Sequence, residues 1–183
     1  ETVSDCGGCG AGCSRAHATA ICPGGGCQIG ACDAGYFDAN AQDADGCECG
    51  DGADVAGTCA AAVAVGTIDA GSQLATAGGV IVHRGGVRED VDCYRVSYVD
   101  PAPAGATCRI AFAPDPGNLA IEVWRDDCST LDCAGDVEFP SACDSLGGTC
   151  QQANTHDFMV CVHAAAGQDN LCQAYTIEFR YVP

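Results

Sequence analysis

The first 59 residues contain nine of the chain's 17 cysteines but very few large aliphatic side chains. Such a segment cannot bury enough apolar surface to offset the conformational entropy that it loses on folding. Disulfides, at about 2–4 kcal/mol each, can supply that stability instead. We therefore predict a disulfide-stapled module over residues 1–59. Within it, the run "ATAICPGGGCQIGAC" predicts a short β-hairpin, because two β-type runs flank a Pro-Gly turn.

Residues 60–183 have a different character, since apolar and polar side chains alternate along several short segments. Alternation with a period of two is typical of strands that have one buried and one exposed face. We expect an all-β fold, in which the small disulfide-rich module is followed by an antiparallel β-sandwich. The predicted inward faces are Tyr94, Val96 and Tyr98; Ile110 and Phe112; Leu119, Ile121 and Val123; Phe158, Val160 and Val162; and Tyr175, Ile177, Phe179 and Tyr181.

Composition restricts the compartment and the partners. Such a density of cysteines is typical of proteins that fold in oxidising compartments. The chain has no initiator methionine and no long apolar run, so we expect an extracellular or cell-surface protein whose signal peptide has been removed, without membrane insertion. The net charge of −18 argues against nucleic acid as a partner, and the absence of lysine excludes lysine-based chemistry.

Seventeen cysteines cannot all pair within one monomer. If each region closes on itself, the cysteine that remains lies among the nine of the first region. We predict that it is Cys59, at the boundary, either as a free thiol or in an intermolecular bond. The alternative is that Cys59 pairs internally and another cysteine is free.

Two acidic groups are candidates for binding Ca²⁺, which accepts six to eight oxygen ligands in flexible geometry. The first lies in "DANAQDADGCEC" and comprises Asp38, Asn40, Asp43, Asp45 and Glu48. The second comprises Glu89, Asp90 and Asp92. The first stretch does not have the glycine and glutamate spacing of an EF-hand, and the same residues are also the ordinary residues of a turn tied by disulfides.

Catalytic patterns are lacking. There is no G-x-S-x-G motif, the four histidines are scattered, and the paired cysteines fit disulfides better than zinc in an oxidising compartment. We expect a protein that is not an enzyme. Trp124 is a candidate ligand-binding residue, because its ring opposes the apolar face of its strand and could stack on a sugar. Cover by a loop or by a neighbouring subunit is the alternative.

Two resemblances extend these predictions. The run "CGGCGAGC", with "HATAIC", "GGCQIGAC", "GYFD" and "DGCEC", resembles a cysteine-rich module of secreted myxobacterial proteins. The stretch "GTIDAGSQLATAGGVIVHRGGVREDVDCYRVSY", followed by "NLAIEVWRDD", resembles the bacterial pre-peptidase C-terminal domain, although Cys93 stands where that family usually has tryptophan. The second resemblance implies a jelly-roll and a non-catalytic accessory or adhesive role.

Two classes of function remain. The chain is either a secreted bacterial structural or adhesive protein of a surface or matrix, stabilised by calcium and assembling into homo-oligomers or a fibre, or an accessory module of a secreted hydrolase that binds a polysaccharide or a matrix protein. The long alternating segment "YTIEFRYVP" at the C-terminal end favours the first class, because such a strand could pair with the sheet edge of another subunit.

Overall fold

The computed structural model describes residues 2–52, 55–69, 71, 74–85, 88–99, 107–129, 131–135 and 156–182. In these ranges the chain is almost entirely β-structure, with two short 3₁₀ turns at Pro23–Gly25 and Cys59–Ala61. The predicted all-β class is confirmed. The strands are β1 Ala18–Ile21, β2 Gln28–Cys32, β3 Tyr36–Phe37, β4 Cys49–Gly50, β5 Val63–Ile68, β6 Leu74–Arg84, β7 Arg88–Glu89, β8 Val91–Tyr98, β9 Thr107–Phe112, β10 Leu119–Arg125, β11 Leu131–Gly135, β12 His156–Ala164 and β13 Leu171–Val182.

The N-terminal region consists of two small antiparallel pairs tied by disulfides. Strands β1 and β2 form the predicted hairpin around the 3₁₀ turn, and β3 pairs with β4. Three bridges lie wholly within this region: Cys6–Cys22, Cys13–Cys27 and Cys32–Cys47. Its buried side chains are mainly cysteines, so covalent links replace the apolar core that the composition cannot provide.

The rest of the chain forms two facing sheets. One has the strand order β11-β10-β12-β8-β5 and the other β7-β6-β13-β9. Every pairing is antiparallel except that of β5 with β8, where the intervening β6 and β7 belong to the opposite sheet and provide the crossover that a parallel pair needs. The jelly-roll that the resemblance implies stays a prediction.

A single apolar core lies between the two sheets, and it confirms the predicted inward faces wherever the side chains are described. Alternate residues of β8, β10 and β12 supply one side of the core, and those of β9 and β13 supply the other. Phe158, Phe179, Ile177 and Val160 are fully buried in it. At about 1.5–3 kcal/mol for each large apolar side chain removed from water, this core is the main source of stability in the sandwich. The side chain of Tyr181 lies outside the described residues.

The N-terminal region is fixed to the outer face of the four-stranded sheet. Cys49 in β4 is bonded to Cys172 in β13, 123 residues away in the sequence. A small apolar cluster surrounds this bridge, in which Ala39 and Cys49 pack against Val82 of β6. At its rim, Arg84 Nη1 donates to Asp38 Oδ2 over 3.2 Å. The two regions are therefore joined covalently, whereas the parity argument assumed that each closes on itself.

The prediction that Cys59 is unpaired is wrong. Residues 55–61 extend along the sandwich, where the carbonyl of Ala56 accepts a hydrogen bond from the amide of Cys93 in β8. This path brings Cys59 to the loop after β10, and Cys59 is bonded there to Cys128 with a Cα–Cα distance of 5.9 Å. Among the cysteines whose side chains are described, Cys9 is the free one, and it is exposed.

The proposed pairing of the C-terminal strand with another subunit is also wrong. Strand β13 lies inside its sheet, hydrogen-bonded to β6 over Leu171–Arg180 and to β9 over Ile177–Val182. Most of its backbone groups are already used within the molecule, so its length reflects a central position and not an open edge.

The bridge between Cys49 and Cys172 should stabilise the attachment of the module more than any bridge inside the module does. We expect the Cys49→Ser/Cys172→Ser variant to lose about 2–4 kcal/mol of unfolding free energy, measured by urea denaturation of the sandwich. The Cys6→Ser/Cys22→Ser variant is the control, because its bridge spans only 16 residues within the module. Equal destabilisation of the sandwich by the two variants would contradict this account.

Candidate functional site

The first predicted calcium loop uses its polar side chains to hold its own backbone. Glu48 Oε1 accepts hydrogen bonds from the amides of Ala39 and Asn40, both over 3.1 Å. Asn40 donates from Nδ2 to Asp45 Oδ2 over 2.8 Å. Asp43 Oδ1 accepts from the amide of Ile29 over 2.9 Å, which joins the loop to strand β2. Asp38 faces away from this set, toward Arg84.

These contacts correspond to the alternative interpretation, a polar turn tied by disulfides. Gly46 is required in it, because its φ is +87° and a Cβ would lie 2.4 Å from the carbonyl oxygen of Ala16. Cys47 then donates its amide to that same oxygen and is bonded to Cys32. In the described part of the chain, no three His, Cys, Asp or Glu side chains are grouped so that they could hold a metal ion. Calcium binding stays a prediction.

The side chains of the second predicted calcium group do not all lie on the same side of the chain. Glu89 is exposed at the end of β7, whereas Asp90 and Asp92 are buried, with 6% and 1% of their surface exposed. Asp90 Oδ2 accepts a hydrogen bond from the amide of Val82 over 2.9 Å. Val82 lies in β6 just before the segment that pairs with β7, so this carboxylate satisfies a backbone donor that the short β7 leaves without a strand partner.

Asp92 belongs to a buried polar cluster that connects the two sheets. Tyr175 in β13 donates its hydroxyl proton to Asp92 Oδ2 over 2.6 Å. The Tyr94 hydroxyl lies 2.8 Å from that of Tyr175 and 3.1 Å from the carbonyl oxygen of Gly78 in β6, to which it donates. Hydrogen bonds of this kind are needed to bury a carboxylate and two phenols inside an apolar core.

The cluster needs the space that a glycine of β6 leaves open, and carboxylates lie near its two phenols. A Cβ at Gly79 would lie 2.5 Å from Asp92 Oδ2, so the carboxylate occupies space that only glycine leaves open. Burial raises the pKa of Tyr94 to about 12; the hydrogen bond with Tyr175 opposes this shift, and the charges of Asp92, Asp51 and Asp90 add to it. Burial and the hydrogen bond to Asp92 raise the pKa of Tyr175 further in the same direction. Both phenols therefore remain protonated donors at neutral pH.

The sequence analysis predicted that Tyr94 and Tyr175 face inward, but it missed their contact with Asp92 and the burial of Asp51. The position of Asp92 was predictable, since residues at i and i+2 of a strand share one face and the apolar alternation places Tyr94 inside. Asp90 lies between β7 and β8, so the alternation does not extend to it. The chemistry of this arrangement is structural: carboxylates and phenols satisfy backbone groups and one another.

Trp124 lies on the outer face of the five-stranded sheet, as its strand alternation predicts. It stands opposite Met159 in the register between β10 and β12, and it is half-buried. Met159 and the disulfide Cys93–Cys161 are buried on the same face, which the turn at Cys59–Ala61 contacts. The indole is partly covered, so its role as a ligand-binding residue stays a prediction.

A shallow groove lies where β9 leaves β13. The cis Ala113–Pro114 bond directs the chain away after the amide of Ala113 has bonded to the carbonyl of Thr176. The groove measures about 240 Å³, below the 300–1,000 Å³ that is common for small-molecule sites. Gln173 closes part of it, because its Nε2 donates to the carbonyl of Ala174 over 2.7 Å while its Oε1 accepts from Asn118. The groove is lined by Pro114, Pro116 and Gln173–Thr176.

Comparison with known proteins gives no family assignment. No model of a protein family, no curated protein and no solved structure matches the chain. The resemblances described above therefore stay predictions. No helix in the described part of the chain is long and apolar enough to cross a membrane.

Removal of the Tyr175 hydroxyl should destabilise the fold. Tyr175→Phe removes one hydrogen bond from Asp92 inside the core, and the loss of a hydrogen bond to a charged group costs about 1.5–3 kcal/mol. The measurement is the unfolding free energy in urea. Tyr36→Phe is the control, because the described residues show no hydrogen bond to the Tyr36 hydroxyl. An equal, small effect of both substitutions would contradict the assigned role of the cluster.

Alkaline pH should lower the unfolding free energy, because the tyrosine pair stabilises the fold only while both phenols are protonated. A phenol whose pKa is raised in the folded state stabilises the fold below its ordinary pKa of 10.0, and that contribution disappears as the pH rises toward about 12. We expect a late fraction of the tyrosinate absorbance to appear together with the loss of β-sheet circular dichroism. This late fraction should be smaller in the Tyr94→Phe/Tyr175→Phe variant. Titration of all tyrosines near pH 10 in folded protein would contradict the prediction.

Proposed function

We propose that this chain is a non-catalytic structural or adhesive protein of a bacterial cell surface or extracellular matrix, and that it assembles with copies of itself. The observation that carries the proposal is the use of the acidic and aromatic side chains. Asp43, Glu48 and Asp90 accept hydrogen bonds from backbone amides, and Asp92 is buried against Tyr175. These four carboxylates, all of them candidate ligands, therefore make hydrogen bonds within the fold.

The disulfides support an extracellular location. Six bridges are present among the described residues, and they hold the module, the joint and the sandwich. Bridges of this number persist in oxidising environments and are rare in the cytosol. A module with almost no apolar core, fastened by sulfur to a rigid sandwich, suits a protein that must keep its shape without intracellular chaperones. The exposed thiol of Cys9 is a further point at which a covalent bond to a neighbour could form.

Native-state microscopy and sedimentation velocity test this proposal. We expect oligomers or filaments of the secreted protein at physiological salt, and we expect noncovalent association to persist in a Cys9→Ser variant. Calcium at millimolar concentration should raise the melting temperature if a folded-state site exists, since ligands that bind only the folded state stabilise it. Monodisperse monomers, with and without calcium, would contradict the assembly. An unchanged melting temperature would contradict the predicted binding of calcium.

The alternative function, an accessory module that binds a polysaccharide or a matrix protein, is favoured by one observation. Trp124 is only half-buried on the outer sheet face, so one part of its ring is accessible. An aromatic face of this kind can stack on a sugar. Retention on insoluble polysaccharide or matrix protein that Trp124→Ala abolishes, with a monomeric protein in solution, would favour this alternative.

A further inference from the structure

Strand β5 has one backbone edge without a strand partner in the described part of the chain. It pairs with β8 on one side and stands last in the five-stranded sheet. The carbonyl of Ile68 accepts from the amide of Val99, the residue that follows β8, so by alternation the N–H and C=O of Thr67 point to the opposite, open side. Gly66 and Thr67 are exposed, and a Cβ built at Gly66 would meet no atom within 4 Å, so the described residues leave the sheet face uncovered at this point.

Beyond the two residues that pair with β7, strand β6 has side-chain caps on its backbone, whereas β5 has only a register shift. Along β6, Asp90 accepts from the amide of Val82, and Tyr94 donates to the carbonyl of Gly78. No comparable side-chain cap lies on β5 among the described residues. Natural proteins usually protect an edge strand with charge, proline, a bulge or a covering segment. Strand β5 has only the register shift between Ala64 and Gly66.

The edge of β5 also lies in a stretch without charge. Residues 55–68 include no Asp, Glu, Lys or Arg, although the whole chain has a net charge of −18. Val63 is 47% exposed, and Ala64, Gly66 and Thr67 are exposed as well. Two copies that meet through most other surfaces bring carboxylates together, whereas contact through this strip does not. A basic partner would instead be drawn to the acidic surfaces.

We propose that the open edge of β5 binds the same edge of a second copy, antiparallel across a two-fold axis, so that two five-stranded sheets become one continuous sheet. Such an interface is self-complementary, because the same backbone groups and the same apolar side chains meet from both sides. The inference deepens the proposed assembly by naming its surface, and it rests on the proposed function only for the existence of self-association.

Salt dependence follows from the charge. Two bodies that each have a charge of −18 repel each other, and that repulsion is screened beyond about 10 Å at 0.1 M salt. Association through an uncharged strip therefore strengthens as salt is added. Association through ion pairs with a basic surface would weaken instead.

Sedimentation equilibrium of matched lysine variants tests the surface. Cys9→Ser is the background, so that only noncovalent association is measured. Val63→Lys introduces a charge at the β5 edge, and Val3→Lys introduces the same charge at a valine of nearly equal exposure, 48% against 47%. We expect Val63→Lys to weaken dimerisation roughly tenfold or more, which corresponds to about 1.4 kcal/mol. Val3→Lys should have no such effect, although both variants lower the net negative charge equally.

Amide hydrogen exchange gives a second readout that needs no substitution in β5. Exchange at Thr67 should slow as the concentration of the Cys9→Ser protein rises, whereas a matched exposed amide in the N-terminal hairpin should not change. Association that is equally strong in Val63→Lys and Val3→Lys, with Thr67 unprotected, would overturn this surface and leave the assembly intact. Monomers at every salt concentration would overturn both the surface and the assembly.

Discussion

Two disulfides, Cys49–Cys172 and Cys59–Cys128, join segments that are 123 and 69 residues apart in the sequence. The first fastens the cysteine-rich module to the outer face of one sheet, and the second fastens the linker to a loop of the other sheet. The module has almost no apolar core of its own, so its orientation depends on the first bridge and on the small cluster of Ala39 and Val82 around it. Long closed loops are also where a covalent link removes the most entropy from the unfolded chain.

Buried acidic residues also stabilise this fold, in which few large apolar side chains are present. Where the sheets meet, Asp92 and the tyrosine pair replace apolar contacts with a hydrogen-bonded connection between β8 and β13. At the end of β6, Asp90 replaces a missing strand partner. Burying such groups is favourable only when they are hydrogen-bonded. The cluster consequently fixes how the two sheets are aligned.

Much of the sandwich was predictable from alternation alone, because one buried face imposes a period of two on each strand. The pairing of the cysteines and of the strands was not predictable. The parity argument assumed that each region closes on itself, which two bridges contradict, and it selected Cys59 although Cys9 is the free cysteine among those described. The path of residues 55–61 toward Cys128 has no sequence signal. The order of the strands was also inaccessible, so the C-terminal strand was taken for an edge when it is central. Glu89, Asp90 and Asp92 were predicted as metal ligands, and composition cannot distinguish a buried cap from a metal ligand.

The central claim is that sulfur links between distant segments, with only a small apolar cluster around the first of them, hold the module on the sandwich. Peptide mapping of protein purified without reductant, with free thiols alkylated before digestion, tests it most directly. The account predicts one linked peptide pair that contains Cys49 and Cys172, another that contains Cys59 and Cys128, and alkylation at Cys9. Alkylated Cys49 and Cys172 in folded protein, or bridges from both to other cysteines of their own regions, would contradict it.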